Sequence, residues 1–205
     1  NFVLSGLNLA FLGYYFNKEV KLYKDLYHWP DGVFSKLFGI KRMKKIPGRS
    51  ILKNMFLPKY IKKIHVLGKL GNKSKNYLEE KYKIEVVSTQ LPFASSAEIV
   101  KFVPKKFEED TLILITLPTP KQEIIAEFIS KNFPNYKIIC IGASLAMCSG
   151  EEKIVPEILD RLSLEFVWRL RSDTRRRIKR LFQTFLYFVK GIISKKNREI
   201  KIEEI

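Results

Sequence analysis

A chain of 205 residues is long enough for one sizeable core and too short for two full-size domains. With 46% hydrophobic and 29% charged residues it is read as a folded chain rather than a disordered one. The formal net charge of +17 narrows its partners to polyanions: nucleic acid, anionic lipid or diphosphate-bearing substrates.

From the amino terminus, short apolar runs predict strands at Phe2 to Leu4, Ile64 to Leu67, Ile84 to Val87, Leu112 to Ile115 and Ile138 to Ile141, with amphipathic stretches between them. Continuous apolar strands separated by helices predict an α/β, Rossmann-like parallel sheet covered by helices on both faces, spanning residues 1–172. The apolar stretch from Leu4 to Phe16 is interrupted by Asn8 and falls short of the roughly 18 to 20 residues needed to span a bilayer. No cleavable leader is expected. Because the sequence starts at Asn1 and not at methionine, a few starting residues are expected to be missing.

Tyr27 to Leu57 breaks the alternation. It carries His28-Trp29-Pro30-Asp31-Gly32 and Pro47-Gly48-Arg49, two turn signals around a short helical pattern, and is read as a lobe of loops and short helices beside the site. Asp31 falls in the first turn, a position where aspartates commonly serve nearby backbone. Its company of a ring and the Arg49 guanidinium also suits a sugar nucleotide.

Ligands of parallel α/β sheets bind beyond the carboxyl ends of the strands. After Leu67, Gly68 and Gly71 make either a phosphate-admitting turn or a bare tight turn, and the full three-glycine dinucleotide fingerprint is absent. After Ile115 the chain runs Thr116-Leu117-Pro118-Thr119-Pro120-Lys121-Gln122-Glu123. Thr119 as N-cap, Pro120 at the first helical position and Gln122 three residues on would form a capping box. The same geometry would aim backbone N–H groups, a lysine and an amide at the ligand edge. His28 and His65 have no metal-ligand spacing with any Cys, Asp or Glu, and are read as structural. Cys140 and Cys148 form no disulfide framework, which predicts a reduced, intracellular setting.

Residues 173–205 change character. Arg175, Arg176, Arg177, Lys179 and Arg180 alternate with Ile178, Leu181, Phe182, Phe185, Leu186, Phe188 and Val189, which on a helix sets a cationic flank beside a broad apolar face. Two uses stay open for this basic amphipathic appendage: packing on the domain, or lying on an anionic membrane surface with Arg175, Arg177, Arg180, Phe182 and Phe185 in the headgroup boundary. Charge alone also suggests a nucleic-acid-binding module. The basic residues gather at this tail rather than along a recognition motif, so no nucleic-acid partner is expected. An NAD-dependent oxidoreductase on the same fold class is disfavoured by the missing glycines.

Several of these segments, in this order, resemble one family. They are Asn8, Pro30-Asp31-Gly32, Pro47-Gly48-Arg49, the Gly68 turn, Pro120-Lys121-Gln122-Glu123, Gly142-Ala143, Ser149-Gly150, Pro156, and Leu164-Glu165-Phe166-Val167-Trp168-Arg169-Leu170 followed by paired arginines. Together they are similar to the WecG/TagA/CpsF glycosyltransferases. The resemblance implies metal-independent, inverting transfer of an N-acetylmannosamine-type sugar from a UDP donor to a polyprenyl-diphosphate-linked acceptor in cell-surface polysaccharide synthesis, capsule or teichoic acid. It implies no cofactor and no metal, and a cytoplasmic protein peripheral to the inner face of the bacterial membrane, its oligomeric state open, a homo-oligomer included. Matched position by position, Asp31 falls on the catalytic base, and Asn8, Arg49 and Gln122 on the nucleotide-sugar pocket. Arg169 and Arg176 fall on tail arginines that close over the diphosphate, and Lys179 stands where the family has a further arginine. The chain departs from the family at Gly6, where a threonine is usual, with Ser5 just before it.

Overall fold

The computed structural model describes residues 1–31, 45–153, 156, 158–159, 178 and 182–189. Within them, six parallel strands form one sheet: β1 (Phe2–Leu7), β2 (Leu26–Pro30), β3 (Lys63–Leu67), β4 (Glu85–Thr89), β5 (Thr111–Ile115) and β6 (Lys137–Cys140). Their order is β2-β1-β6-β5-β3-β4. The helices are α1 (Leu9–Phe16), α2 (Gly48–Asn54), α3 (Asn72–Tyr82), α4 (Ser96–Ile99, continued by a 3-10 turn at Val100–Phe102), α5 (Lys121–Asn132) and α6 (Ser144–Cys148).

Every residue of β5 is buried, and its side chains divide between two cores. Ile113 and Ile115 join Ile138 and Cys140 under Ile99 of α4 and Ile125, Ala126 and Ile129 of α5. Leu112 and Leu114 join Ile139 and Ile141 under Leu52 of α2, Leu78 of α3 and Leu145 of α6. A sheet packed on both faces needs strands that are apolar at successive positions, and this is the physical content of the runs seen in the sequence.

The five expected strands are present. The sixth, β2, starts at Leu26 and runs into the segment read as loops and short helices, so that reading is corrected for residues 27–30. β2 is an edge strand paired only with β1, and of its five residues only Trp29 is fully buried. An edge strand needs no continuous apolar run, and it tolerates a proline that cannot donate to a neighbour.

The topology fixes where a ligand can enter. From β1 the chain steps outward through α1 to β2, whereas it reaches β6 from the other side, by way of β5 and α5. The chain leaves β1 into α1 and leaves β6 into α6, which packs against α2 and α3, so the loops after these two adjacent strands lead to different helices, and a ligand crevice is expected at the carboxyl edge between them.

The helical residues 182–189 pack on α1. Tyr187 meets Tyr14 edge-on at 5.5 Å, Phe188 lies 6.2 Å from Phe16, and the Asn17 amide donates to the Tyr187 carbonyl at 3.0 Å. Tyr187 and Phe188 thus face the domain, while Phe182, Phe185 and Leu186 are exposed. Among the described residues no helix is long and apolar enough to cross a membrane.

Candidate active site

Asp31 follows β2 directly, at the carboxyl edge of the sheet. Its backbone N–H donates to the Leu7 carbonyl at 3.1 Å, continuing the strand register by one residue, and its Oδ2 accepts from Asn8 Nδ2 at 3.2 Å. Asn8 is the N-cap of α1, where its Oδ1 accepts from the Phe11 backbone N–H at 3.1 Å. One side chain thus starts a helix with its oxygen and holds a carboxylate with its nitrogen. Gly6 makes this approach feasible. A Cβ there would stand 2.9 Å from Asp31 Cβ, 3.0 Å from Asp31 Oδ2 and 3.2 Å from Trp29 Cζ2.

Ser5 projects to the opposite face of β1. Its hydroxyl donates to Glu123 Oε1 at 2.9 Å, so it does not stand in for a threonine hydroxyl at position 6. Glu123 Oε1 also accepts from Gln122 Nε2 at 2.7 Å and Thr119 Oγ1 at 3.2 Å. Gln122 Nε2 further donates to Thr119 Oγ1 at 3.1 Å. The expected capping box is therefore not formed. Helix α5 begins at Lys121 with Pro120 as N-cap and no side-chain cap, because Thr119 and Gln122 turn inward to serve a buried carboxyl. Burial raises the Glu123 pKa above the ordinary carboxylate range, against the hydrogen bonds it accepts.

Two more expected residues border the crevice. Gln122 Oε1 lies 3.8 Å from where a Cβ of Gly142 would stand, in the loop after β6. Arg49 opens α2, which is held against α6: Cys148 Sγ donates to the Arg49 carbonyl at 3.4 Å, and a Cβ on Gly48 would meet Ser144 Oγ at 2.5 Å. Asn8, Asp31, Arg49 and Gln122 thus come from four separate segments to the same end of the sheet. Arg169, Arg175, Arg176, Arg177, Lys179 and Arg180 lie outside the described residues. Phe182 and Phe185 line an apolar hollow of about 370 Å³ with Ile178 and Leu9, the residue next to Asn8.

The helix start after Gly68 and Gly71 already holds an anion. Glu151 Oε1 accepts from the Ser74 backbone N–H at 3.1 Å, and its carboxylate covers the Cα of Gly71. The phosphate expected as one option there would have to displace it. His65 bonds Thr89 Oγ1 at 2.8 Å and packs edge-on against Phe107. His28 Nδ1 donates to the Ser5 carbonyl at 3.3 Å, and burial lowers its pKa to about 4, so it is neutral near pH 7. Among the described residues no group of three or more His, Cys, Asp and Glu side chains is arranged to hold a metal ion.

Four buried polar atoms without a hydrogen-bond partner among the described residues belong to chain segments that border this crevice: His28 Nε2, Trp29 Nε1, Gln122 Oε1 and Glu123 Oε2. Interiors seldom leave such atoms unmatched; the other two among the described residues, Tyr23 Oη and Thr111 Oγ1, lie elsewhere.

The family model described as "Glycosyl transferase WecG/TagA/CpsF family" matches residues 30–201. The chain belongs to that family. It is a glycosyltransferase of cell-surface polysaccharide biosynthesis, built on a six-stranded parallel α/β fold. No curated protein matches the chain. In this glycosyltransferase the sequence pointed to Asp31, Asn8, Arg49 and Gln122 but assigned nothing to Ser5 or Glu123. The available signals were a serine inside the otherwise apolar β1 and an acid one residue past Gln122. The first passes for a solvent-facing strand position, and the second for an ordinary acid complementing a helix start.

Proposed function

We propose that this glycosyltransferase moves a hexose, of the N-acetylmannosamine type, from a UDP donor to a polyprenyl-diphosphate-linked saccharide in a single inverting displacement. The acceptor hydroxyl oxygen attacks C1 and its proton passes to Asp31; the bond from C1 to the diphosphate oxygen breaks, and UDP leaves with that electron pair. The observation that carries this reading is the Asp31 carboxylate, fixed by the Asn8 amide at 3.2 Å at the carboxyl edge of the sheet. An ordinary aspartate, with a pKa of about 3.9, is a weak base. It suffices when the proton moves late, as positive charge builds on the sugar ring.

The departing diphosphate needs cationic partners. Guanidiniums supply bidentate, permanently charged donors, and Arg49, Arg169 and Arg176, with Lys179, are assigned this role without a divalent metal. The apolar hollow of Leu9, Ile178, Phe182 and Phe185, beside Asn8, supports a prenyl-chain acceptor delivered from an anionic membrane surface. Arg175, Arg177 and Arg180 would add about 1 kcal/mol each of attraction to that surface. The reading places the enzyme at the inner face of the membrane. The test is turnover with a panel of UDP-sugars and a lipid-diphosphate saccharide. One donor should be consumed by the wild type and not by Asp31→Asn; consumption of none by the wild type would reject the reading.

A further inference from the structure

Glu123 is 2% exposed, and nothing in the proposed chemistry uses it. An apolar side chain of similar volume would fill the same space without the desolvation cost of an acid, so stability alone does not account for a carboxyl there. What distinguishes it is the origin of its partners. On one oxygen it gathers Ser5 from β1, Thr119 from the loop after β5 and Gln122 from the first turn of α5.

Each of those partners leads to the crevice. Ser5 immediately precedes Gly6, against which Asp31 and Trp29 pack, and Asn8 follows two residues later with its hydrogen bond to Asp31. With Gln122 Nε2 committed to Glu123 and Thr119, the Gln122 amide keeps one orientation, its Oε1 directed toward the loop after β6 at Gly142. An amide turned the other way would set two oxygens against each other at the 2.7 Å contact.

We propose that Glu123 is a positioning residue for sugar transfer: through Ser5 and Gln122 its carboxyl sets the separation of the Asn8–Asp31 pair from the Gln122 amide, and it fixes which end of that amide a ligand meets. This rests on reading the crevice as the site of transfer. The ligand group opposite Gln122 is then a hydrogen-bond donor, an N–H or O–H of the nucleotide sugar, which meets the unpartnered Oε1.

The test is a double-mutant cycle in the full-length enzyme, with Glu123→Ala, Gln122→Ala, the pair, and Glu123→Gln. Displacing a substrate-orienting group by about 1 Å can cost on the order of 100-fold, so Glu123→Ala should lower kcat/KM by about 10- to 100-fold. Glu123→Gln, whose carbonyl can accept the same three bonds, should recover to within about threefold of wild type. The pair should lose less than the product of the two single losses, because part of the acid's effect passes through the amide. Losses that multiply, or a folded Glu123→Ala enzyme with wild-type kinetics, would overturn the proposal. Should Glu123→Ala fail to fold, Ser5→Ala and Thr119→Val replace it in the cycle, with the same two criteria. If the wild type consumes no UDP-sugar, the functional reading fails separately, and crystal structures of the Glu123 variants decide this point. A displaced or inverted Gln122 amide supports it, and an unmoved amide with Asn8 still bonded to Asp31 overturns it.

Discussion

Gly6→Thr would restore the residue usual in the family, yet the packing of this chain predicts that it does harm. A Cβ at position 6 would stand 2.9 Å from Asp31 Cβ, against a normal carbon–carbon separation of about 3.5–4.0 Å. Trp29 closes the other side at 3.2 Å and is only 6% exposed, so the relief has to come largely from Asp31. A retreat of about 0.6 Å or more would carry the Asn8–Asp31 contact from 3.2 Å past the limit of a useful hydrogen bond. Overpacking of this kind costs about 1–3 kcal/mol, which for a chain of this size lowers Tm by roughly 2–12 °C. A base displaced by nearly 1 Å loses on the order of 100-fold in turnover. Gly6→Ala isolates the Cβ, and Gly6→Thr adds the hydroxyl. The assay is donor consumption at saturating substrate beside thermal melting. Wild-type turnover and Tm in Gly6→Thr would refute the reasoning, by showing that Asp31 does not depend on the empty space at Gly6.

Three further outcomes follow from the structure. His28 has its pKa lowered from 6.5 to about 4 by burial, so its contribution to stability is full above pH 6.5 and is lost as pH falls toward 4. Wild type should therefore lose up to about 3 kcal/mol more than His28→Gln between pH 7 and pH 4 in denaturant titrations; parallel curves would contradict this. Glu123 acts in the opposite sense: its raised pKa gives a contribution present below the unfolded carboxylate pKa and lost as pH rises through the folded one, so Glu123→Gln should flatten that slope. For the surface of 182–189, Phe182→Ser with Phe185→Ser should weaken binding to anionic vesicles several-fold with little change in Tm, since both rings are exposed. Unchanged vesicle binding would remove the membrane role from these two residues.

The parts of this molecule that were legible in its sequence are those where burial alone dictates the residues. β5 shows the rule, since a strand covered on both faces must be apolar throughout. β2 escaped because Leu-Tyr-His-Trp-Pro is an edge strand, defined by its pairing with β1 rather than by its own composition. The capping box at Thr119 and Gln122 was misread for a related reason: side chains that would cap a helix in isolation are taken by a buried acid, and the acid's burial depends on β1, more than a hundred residues away. At Gly68 and Gly71 the sequence left a phosphate-admitting turn and a bare tight turn both open, and the Glu151 carboxylate that covers Gly71 is brought there by the fold rather than by sequence spacing. The Asp31 carboxylate stands out locally in its Pro-Asp-Gly stretch. Its fixing by Asn8 was not legible, because that contact joins the ends of two neighbouring strands.

The central claim concerns the Asp31 carboxylate, and the most direct measurement compares UDP affinity with turnover in Asp31→Asn. The amide has the same shape and can still meet Asn8, so UDP binding and Tm should stay close to wild type while sugar transfer falls by about 100-fold or more. Transfer retained at more than a few per cent of the wild-type rate, with UDP affinity unchanged, would contradict the account.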